Sequence, residues 1–338
     1  MKIKSFIIPK WYFSKLSILL LILLIISFFS FTKGAVELSL QDFIDYFSNN
    51  LVEEKKIIID DIRIPRTIIA LITGAGLAIA GMILQAVFRN PIVDPFITGV
   101  SGGASLGAGI AIIFGFNFSF WGISSIPILS FILSIMCVFI SYKISISYGR
   151  INIERLMLSG FAISSLCSAI LSCLLVIKGE DANYILAWLI GNISGKSWES
   201  IQIVLPYFLI SNIICIIYIN KLNIIQLGDE TSENLGFNSN NLKILFIVLS
   251  AILSASIVSI TGIIGFVGMI VPQICRYLIK TSDYRLMYPF VFIMGALLLI
   301  FSDILSRIII PPQEIPIGVF TSFLGVPFFI FLLLKNKK

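Results

Sequence analysis

The first stretch with the residue types of an active site is Gly99-Val100-Ser101-Gly102. It matches the G-x-S-G pattern in which an intramembrane serine hydroxyl attacks a peptide carbonyl. Such a serine needs a base, a histidine on another helix, to accept its proton, and the 338 residues include no histidine. The same absence removes the commonest general base and the commonest metal ligand. The sequence therefore argues against an intramembrane serine hydrolase.

Gly195-Lys196-Ser197 resembles the end of a phosphate-binding P-loop. That pattern requires a glycine five residues before its second glycine, and this position holds Ile190. The segment is also predicted to lie outside the membrane, away from cytoplasmic nucleotides. We therefore expect no nucleotide site and no catalytic residue in this chain, which is predicted not to be an enzyme.

The cysteines form no metal-binding or disulfide framework. All five lie within apolar runs without C-x-x-C spacing, at Cys137, Cys167, Cys173, Cys215 and Cys275. They are predicted to be small buried hydrophobic residues. We expect neither a bound metal nor a cofactor.

One oppositely charged pair, Asp303 and Arg307, lies inside an apolar segment. The i, i+4 spacing places both side chains on one face of a helix. Because a charge within a membrane is costly, we expect each residue to neutralise the other. A structural role and a functional role for this pair are equally open.

Small residues recur every four positions at Gly99, Gly103 and Gly107, with Ser101 on an adjacent face. This spacing lets membrane helices approach closely. The pattern predicts tight helix packing and leaves open whether these faces also contact a substrate.

The elements that carry these residues are membrane helices. The chain is 58% hydrophobic and 12% charged, with a mean hydropathy of +1.03, and a soluble core cannot bury that much apolar surface. The apolar runs do not alternate as barrel strands do. The sequence predicts an all-α polytopic membrane protein, and the net charge of +6 is attributed to positive cytoplasmic loops rather than to nucleic-acid binding.

About ten transmembrane helices are predicted. The 36-residue apolar run 244–279 would be about 54 Å long as one helix, so it is divided at Thr261-Gly262, with Pro272 interrupting the second half. With both termini cytoplasmic, sixteen of the 24 Lys and Arg residues lie inside, as the positive-inside rule expects. The other spans are Leu16–Thr32, Arg66–Phe88, Phe96–Phe116, Ile126–Tyr142, Leu156–Ile177, Ile201–Ile219, Pro289–Ile310 and Pro316–Leu334.

Three connecting segments are distinctive within the single domain 1–338. Residues 33–65 are predicted to form an extracytoplasmic loop containing an amphipathic helix, Leu38–Phe47, capped by Ser39. Residues 178–200 are too polar to span and are predicted to be extracytoplasmic and interfacial. In the cytoplasmic loop 221–243, residues 227–237 predict a short helix with an acidic first turn and Gly236 at its end. This helix is either a docking element or a solvated loop.

Several motifs together resemble a known family. The chain resembles the FecCD-type permeases, the membrane subunits of ATP-binding-cassette (ABC) importers for iron-siderophore complexes, haem and cobalamin, including the cobalamin importer permease. The resemblance covers nearly all of the chain after about residue 60. It is carried by R-I-P-R at 63–66, Q-A-V-F-R-N-P-I-V-D-P at 85–95, G-V-S-G-G-A at 99–104, L-G-D-E-T-S-E-N-L-G at 227–236, G-F-V-G-M-I-V-P at 265–272, S-D-I-L-S-R at 302–307 and E-I-P-I-G-V-F-T-S-F-L-G-V-P-F-F at 314–329.

The resemblance implies a type II ABC importer permease fold and a particular assembly. Two copies of the chain would form a homodimer in the cytoplasmic membrane of a prokaryote. Two ATPase subunits would bind on the cytoplasmic side and a substrate-binding protein on the outer side. ATP hydrolysis would take place on the partner subunits.

The resemblance also implies roles for individual residues. The outer arginines Arg63, Arg66 and Arg307 would pair with acidic residues of the binding protein. The implied cytoplasmic gate consists of Asn90, Ile92, Asn152 and Ile153, although the 152–154 segment departs from the family pattern. The implied ATPase-coupling residues are Gly228, Asp229, Glu230, Leu235 and Gly236. Gln273 stands where the family usually has histidine.

The predicted function is therefore ATP-driven import of a metal chelate, with a ferric siderophore favoured over haem or cobalamin. An ion-coupled secondary carrier is the alternative within transport. Such a carrier needs intramembrane acidic residues, and Asp303, which has a partner, is the one clear candidate.

Overall fold

A computed structural model describes residues 10–34, 36, 38–116, 118–120, 123–177, 182–311 and 313–335. The predicted cytoplasmic lysines Lys2, Lys4, Lys337 and Lys338 lie outside the described residues, as do positions 178–181 of the predicted interfacial segment. The described chain is almost entirely helical, which confirms the predicted all-α class.

The order of elements follows the predicted spans with short helices between them. Two small antiparallel hairpins, β1–β2 (Ser119–Phe120, Ile123–Ser124) and β3–β4 (Ile146–Ser147, Arg150–Ile151), lie at turns. The helices are α1 Lys10–Thr32, α2 Leu40–Phe47, α3 Glu53–Ile57, a π-helix Ile58–Arg63, α4 Ile64–Phe88, a 3-10 helix Pro95–Thr98, α5 Val100–Ile113, α6 Ser125–Ser145, α7 Ile153–Ile177, α8 Ala182–Leu189, α9 Trp198–Gln226, α10 Asp229–Asn234, α11 Ser239–Thr261, α12 Val267–Ile279, α13 Tyr284–Ile308 and α14 Ile317–Lys335.

The described residues include seven helices long and apolar enough to cross a membrane, and three shorter apolar helices, α5, α12 and α14. Their positions coincide with the ten predicted spans. The 14 residues of α5 rise about 21 Å, less than the roughly 30 Å of a hydrocarbon core. The 3-10 helix just before α5 lengthens this span at one end.

Several helices extend beyond their predicted bounds. Residues Glu53–Phe88 form one helical segment of 36 residues, so the predicted loop 33–65 is helical over its last third. Helix α9 likewise covers Trp198–Gln226 and takes in both flanks of the predicted sixth span. The predicted spans end near charged residues, because a charge is costly inside the hydrocarbon. The helices themselves continue into the membrane interface, where their charged side chains reach water. Helix α2 begins at Leu40, two residues later than predicted, and the predicted cap Ser39 forms a capping box with Asp42.

The predicted break in the run 244–279 at Thr261-Gly262 is confirmed, but the predicted interruption at Pro272 is wrong, because Pro272 lies inside the continuous helix α12. Helix α11 ends at Thr261, and Gly262 follows with φ +71°. A Cβ atom at Gly262 would lie 2.1 Å from the carbonyl oxygen of Trp188. Both the backbone conformation and the lack of space therefore require glycine at this position.

Helix α4 lies at the centre of the bundle, with 22 of its 25 residues buried. Its glycines bring other helices to backbone contact. A Cβ at Gly74 would lie 2.1 Å from the Gly295 oxygen on α13, and one at Gly81 would lie 1.9 Å from the Gly268 oxygen on α12. Side chains at these points would push the helices apart.

The small-residue face of α5 packs on α6. A Cβ at Gly103 would lie 2.4 Å from the Leu133 oxygen, and one at Gly107 would lie 2.4 Å from the Leu129 oxygen. Gly99 has φ +101° and precedes α5, next to Ser141 of α6. Ser101, two residues further along, is half-buried, and its carbonyl accepts the Ser105 hydroxyl at 2.7 Å.

Candidate functional site

Two polar clusters lie at opposite ends of α4. One surrounds Arg66 in the first turn, and the other surrounds Arg89, which follows the last residue. Twenty-three residues at 1.5 Å each separate the two clusters by about 35 Å, which is close to the thickness of a bilayer core.

Arg66 is the centre of the first cluster, here called the outer charge cluster (Arg63, Arg66, Asp303, Arg307, Glu314). Its Nε donates to Asp303 Oδ1 at 2.9 Å, and its Nη1 and Nη2 donate to the two carboxylate oxygens of Glu314 at 2.7 and 3.0 Å. A two-pronged guanidinium–carboxylate contact of this kind is strong and directional. It ties the start of α4 to the segment before α14.

Arg307 and Arg63 attach α1 to the same cluster. Arg307 Nη2 lies 2.7 Å from Asp303 Oδ2 and donates to the Ser30 hydroxyl at 2.8 Å. The Arg63 guanidinium donates to the backbone carbonyls of Phe31 and Val36. Asp303 is therefore shared by Arg66 and Arg307, so the predicted intramembrane pair is part of a larger cluster.

The three arginines that are predicted to pair with the binding protein are buried and not displayed at the surface. Arg63, Arg66 and Arg307 are only 4%, 5% and 7% exposed. Their donors are directed to carboxylates and carbonyls of the same chain, because an unpaired buried guanidinium would be costly. Glu314, with 30% of its side chain exposed, covers Arg66 on the solvent side.

The second cluster surrounds α10, the predicted short helix. Phe237 N donates to the Ser232 carbonyl at 3.0 Å, and Gly236 N donates to the Glu233 carbonyl at 2.9 Å. With Gly236 at φ +83°, these are the two bonds of a Schellman C-cap. Glu230 and Leu235 are exposed on this helix, while Ser232 is buried and bonds to the end of α9.

The carboxylate of Asp229, the first residue of α10, accepts hydrogen bonds from three side chains. Arg89 Nη2 and Lys243 Nζ each lie 2.7 Å from its carboxylate, and the Ser239 hydroxyl donates at 2.8 Å. Burial raises the pKa of Asp229, but the hydrogen bonds from Lys243, Ser239 and Arg89 outweigh it and lower the pKa to about 2. Asp229 therefore remains ionised throughout the physiological range.

Arg89 connects α10 to the turn that carries the predicted gate residues. It adopts φ +49° at the end of α4, and its Nε donates to the Ile225 carbonyl at 3.0 Å. Asn90 follows at once, and its Oδ1 accepts the Ile92 backbone N–H at 3.1 Å. Ile92 is 45% exposed, so this turn presents an apolar side chain beside the coupling segment.

Gln273 holds the other side of this turn. Its Nε2 donates to Gln85 Oε1 and to the Pro91 carbonyl, both at 2.7 Å, and its Oε1 accepts from Arg276 at 3.0 Å. The side-chain amide of Gln273, which departs from the family pattern, thus links α12 to the end of α4 and to the turn that follows α4. Sequence reasoning identified Gln273 but missed Gln85 and Arg89, whose partners are far away in the chain.

The second pair of predicted gate residues lies near Asp229. A cavity of ≈ 410 Å³ is lined by Asn152, Ile153, Arg89, Asp229 and Lys243, among others. Asn152 Oδ1 accepts the Arg155 N–H at 2.9 Å at the start of α7. The structure thus brings Asn152 and Ile153 to Asp229, one of the predicted coupling residues, while Asn90 and Ile92 do not line this cavity.

Two further cavities adjoin α8. The larger, ≈ 690 Å³, is apolar and lies between the end of α8 and α14. The smaller, ≈ 170 Å³, is lined by Lys196 and several polar side chains. Within the described chain no group of three or more His, Cys, Asp or Glu residues could hold a metal ion.

The described residues thus include ten apolar helices, a buried charge cluster at one end of α4 and an exposed short helix near the other end. This arrangement is that of a multi-pass membrane protein with a polar surface at each end of its central helix. The sequence pattern of the FecCD transport family matches residues 20–335. The chain belongs to that family.

Several of its relatives are permeases of import systems. The chain is 34% identical to the hemin transport system permease HmuU of Yersinia pestis, over 96% of both chains. It is 37% identical to the Fe(3+)-citrate import permease YfmE of Bacillus subtilis (94% of this chain, 93% of YfmE). It is 33% identical to the cobalamin import permease BtuC of Halobacterium salinarum (83% and 74%).

A solved structure shows the same fold. A chain described as a metal-chelate type ABC transporter in an inward-facing conformation superposes with a TM-score of 0.83 at 31% identity, covering 96% of this chain and 99% of that one. The chain is therefore an ABC importer permease and a multi-pass protein of the cell membrane.

Proposed function

We propose that this chain carries a metal chelate, a ferric siderophore, across the cytoplasmic membrane of a prokaryote as part of a binding-protein-dependent importer. Two copies form the membrane unit, two ATPase subunits bind on the cytoplasmic side, and both termini are cytoplasmic. The transport systems of the relatives above carry hemin, Fe(3+)-citrate or cobalamin. These cargoes share a metal held by an organic ligand.

The observation that carries the proposal is the exposed helix α10, fixed to the gate turn through Asp229 and Arg89. Its solvent side presents Glu230 and Leu235, an acidic and an apolar anchor for an ATPase groove. Its inner side is bonded to α9, to Arg89 and to Lys243. A displacement of α10 by ATP binding would thereby pull directly on the turn that contains Asn90 and Ile92.

The docking role of the outer arginines takes a specific form in this proposal. Because Glu314 occupies the two Nη atoms of Arg66 and is partly exposed, an incoming carboxylate of the binding protein displaces Glu314 and takes over its bonds. Arg63 and Arg307 keep the backbone of α1 in place meanwhile. Docking would then release the segment before α14, which links delivery of substrate to a movement inside the permease.

The coupling proposal is tested by purification and uptake. A tagged chain should co-purify with an ATPase, and the double variant Glu230→Arg with Leu235→Asp should abolish both co-purification and uptake. Leu40→Asp is the matched control, because Leu40 is also exposed but lies in the predicted extracytoplasmic segment. Uptake that persists without any ATPase would refute the importer assignment and favour a secondary carrier.

The docking proposal is tested by charge reversal. Arg66→Glu should weaken binding-protein affinity, and Glu314→Gln should strengthen it, because the amide competes poorly for Arg66; size-exclusion chromatography checks that both variants are folded. Lys56→Glu, at an exposed lysine of α3, controls for net charge. An unchanged affinity of the arginine variant at low salt would remove Arg66 from the interface.

A further inference from the structure

The β3–β4 hairpin connects α6 to α7 on the predicted cytoplasmic side, and neither the gate nor the coupling residues include its tip. Ser147 pairs with Arg150, so the loop itself consists of Tyr148 and Gly149 alone. Tyr148 has φ +49° and Gly149 has φ +76°. A two-residue hairpin loop in which both φ angles are positive is a type I′ turn.

Tyrosine is an unexpected residue at the tip of this turn. Type I′ turns strongly favour asparagine, aspartate or glycine at their first central position, because a bulky side chain is strained at positive φ. Tyr148 is fully exposed, so burial of its ring within the chain does not offset this strain. A Cβ atom at Gly149 would meet nothing within 4 Å in the described chain, and the tip is therefore open to a partner. Strained residues of this kind cluster at functional sites.

The hairpin is attached to the helix that is proposed to bind the ATPase. Arg150 Nη2 lies 3.3 Å from the Glu233 carboxylate on α10. The Ile151 N–H donates to Asn240 Oδ1 at 2.9 Å, at the start of α11. Glu233 and Glu230 are three residues apart on α10, so they lie on one face of that helix, about 5–6 Å apart. A partner that contacts Glu230 therefore meets the hairpin as well.

A membrane surface is a poor partner for this tip. Tyrosine side chains are common at membrane interfaces, but the adjoining helix α10 carries three carboxylates, at Asp229, Glu230 and Glu233. The negative potential of a leaflet that contains anionic lipids repels such a helix. Tyrosine is also among the residues that contribute most to the binding energy of protein–protein interfaces. The charge of the neighbouring helix therefore favours a protein partner over a lipid surface.

We propose that the tip of the β3–β4 hairpin is a second docking point for the ATPase subunit, with the Tyr148 ring in an apolar pocket of that subunit. This rests on the proposed importer function and adds a second contact to it. The hairpin continues directly into Asn152 and Ile153, the predicted gate residues at the start of α7. Asn152 N also donates to the Ser145 carbonyl at 3.1 Å, at the end of α6. A movement of the ATPase therefore reaches these gate residues through α7 as well as through α10.

The first test identifies the partner. Photoreactive benzoylphenylalanine replaces Tyr148 in the full-length chain, and the complex with its ATPase subunits is irradiated in proteoliposomes. It should crosslink to the ATPase, as should benzoylphenylalanine in place of Leu235 on α10, whereas the same replacement of Leu40 in the predicted extracytoplasmic segment should not. A crosslink from position 148 to lipid or to a second copy of this chain, or none while position 235 reacts, would overturn the proposal. If no ATPase binds the wild type at all, the proposed function itself fails.

The second test separates docking from folding. Tyr148→Asn supplies a residue that the type I′ turn prefers, so its Tm should equal or exceed that of the wild type. Its affinity for the ATPase, measured with the permease in lipid nanodiscs, should nevertheless fall about tenfold, as expected for loss of a tyrosine anchor from an interface. Tyr148→Phe keeps the ring and should keep the affinity. An affinity of Tyr148→Asn equal to that of the wild type would overturn the proposal.

Discussion

Replacement of Asp229 is the perturbation whose effect the structure determines most closely. Asp229→Asn keeps the size of the side chain and removes its charge. It leaves Arg89 and Lys243 without their shared carboxylate. The consequences for these two cations differ because their exposure differs.

The Lys243 side chain is 6% exposed, whereas that of Arg89 is 38% exposed. Loss of the exposed Arg89 pair should cost at most about 1 kcal/mol. Loss of the Lys243 pair leaves a buried ammonium uncompensated, and since Asp229 is itself 43% exposed we expect a cost of about 2 kcal/mol. Lys243→Met should remove that second cost, because the apolar side chain needs no counter-charge.

The assay is thermal unfolding of the four proteins of a double-mutant cycle, at one scan rate in one detergent. Asp229→Asn should lower the apparent Tm by several degrees, at about 2 °C for each kcal/mol. Lys243→Met should change it little, and the double variant should recover most of the loss. A double variant as unstable as Asp229→Asn would refute the reasoning that a buried unpaired ammonium is the cause.

The ionisation of Asp229 should also make the stability of the folded chain depend on pH. The pKa of Asp229 falls from 3.8 to about 2 in the folded chain, so the unfolded chain takes up its proton first as the pH falls. The stability that Asp229 contributes is therefore complete above about pH 4 and is lost between pH 4 and pH 2. Between pH 4 and pH 2 the free energy of unfolding of Asp229→Asn should therefore depend less on pH than that of the wild type. The same slope in both proteins would contradict the lowered pKa of Asp229.

Three other predictions follow from single contacts. Gly81→Val should prevent folding, measured as loss of monodisperse protein, because a Cβ there would meet the Gly268 oxygen at 1.9 Å; normal yield would contradict the packing. Gln273→Leu should increase protease cleavage in the turn after α4 because it removes the bonds to Gln85 and Pro91, and equal cleavage would show that the turn is held otherwise. Arg150→Ala should lower Tm by less than about 2 °C, since its 3.3 Å pair with Glu233 is exposed and contributes at most about 1 kcal/mol; a larger loss would mean that this surface pair stabilises the fold more than exposed pairs do.

Local features of this fold could be predicted from the sequence because their causes are local. The end of α11 depends on Gly262, and the start of α2 depends on Ser39 and Asp42, three residues apart. The span count followed from apolar length and from the positions of Lys and Arg. Helix bounds were less accurate, because α3 and the ends of α9 carry charges that lie beyond the hydrocarbon.

Features that depend on distant residues could not be predicted. Arg66 and Glu314 are 248 residues apart and Arg89 and Asp229 are 140 apart. Neither pair has a sequence signal until the helices are packed. For the same reason the sequence gave no indication that Arg63, Arg66 and Arg307 are buried side chains; their docking role stays a prediction. The cavity around Lys196 is likewise formed by three separate elements.

The central claim is tested most directly by uptake into proteoliposomes that contain this chain. The importer account predicts that accumulation of a ferric chelate requires the binding protein, the ATPase subunits and ATP hydrolysis together. It also predicts that Glu230→Arg with Leu235→Asp in α10 abolishes uptake while leaving the chain folded. Accumulation driven by an ion gradient without the ATPase, or full uptake by that α10 variant, would contradict the account.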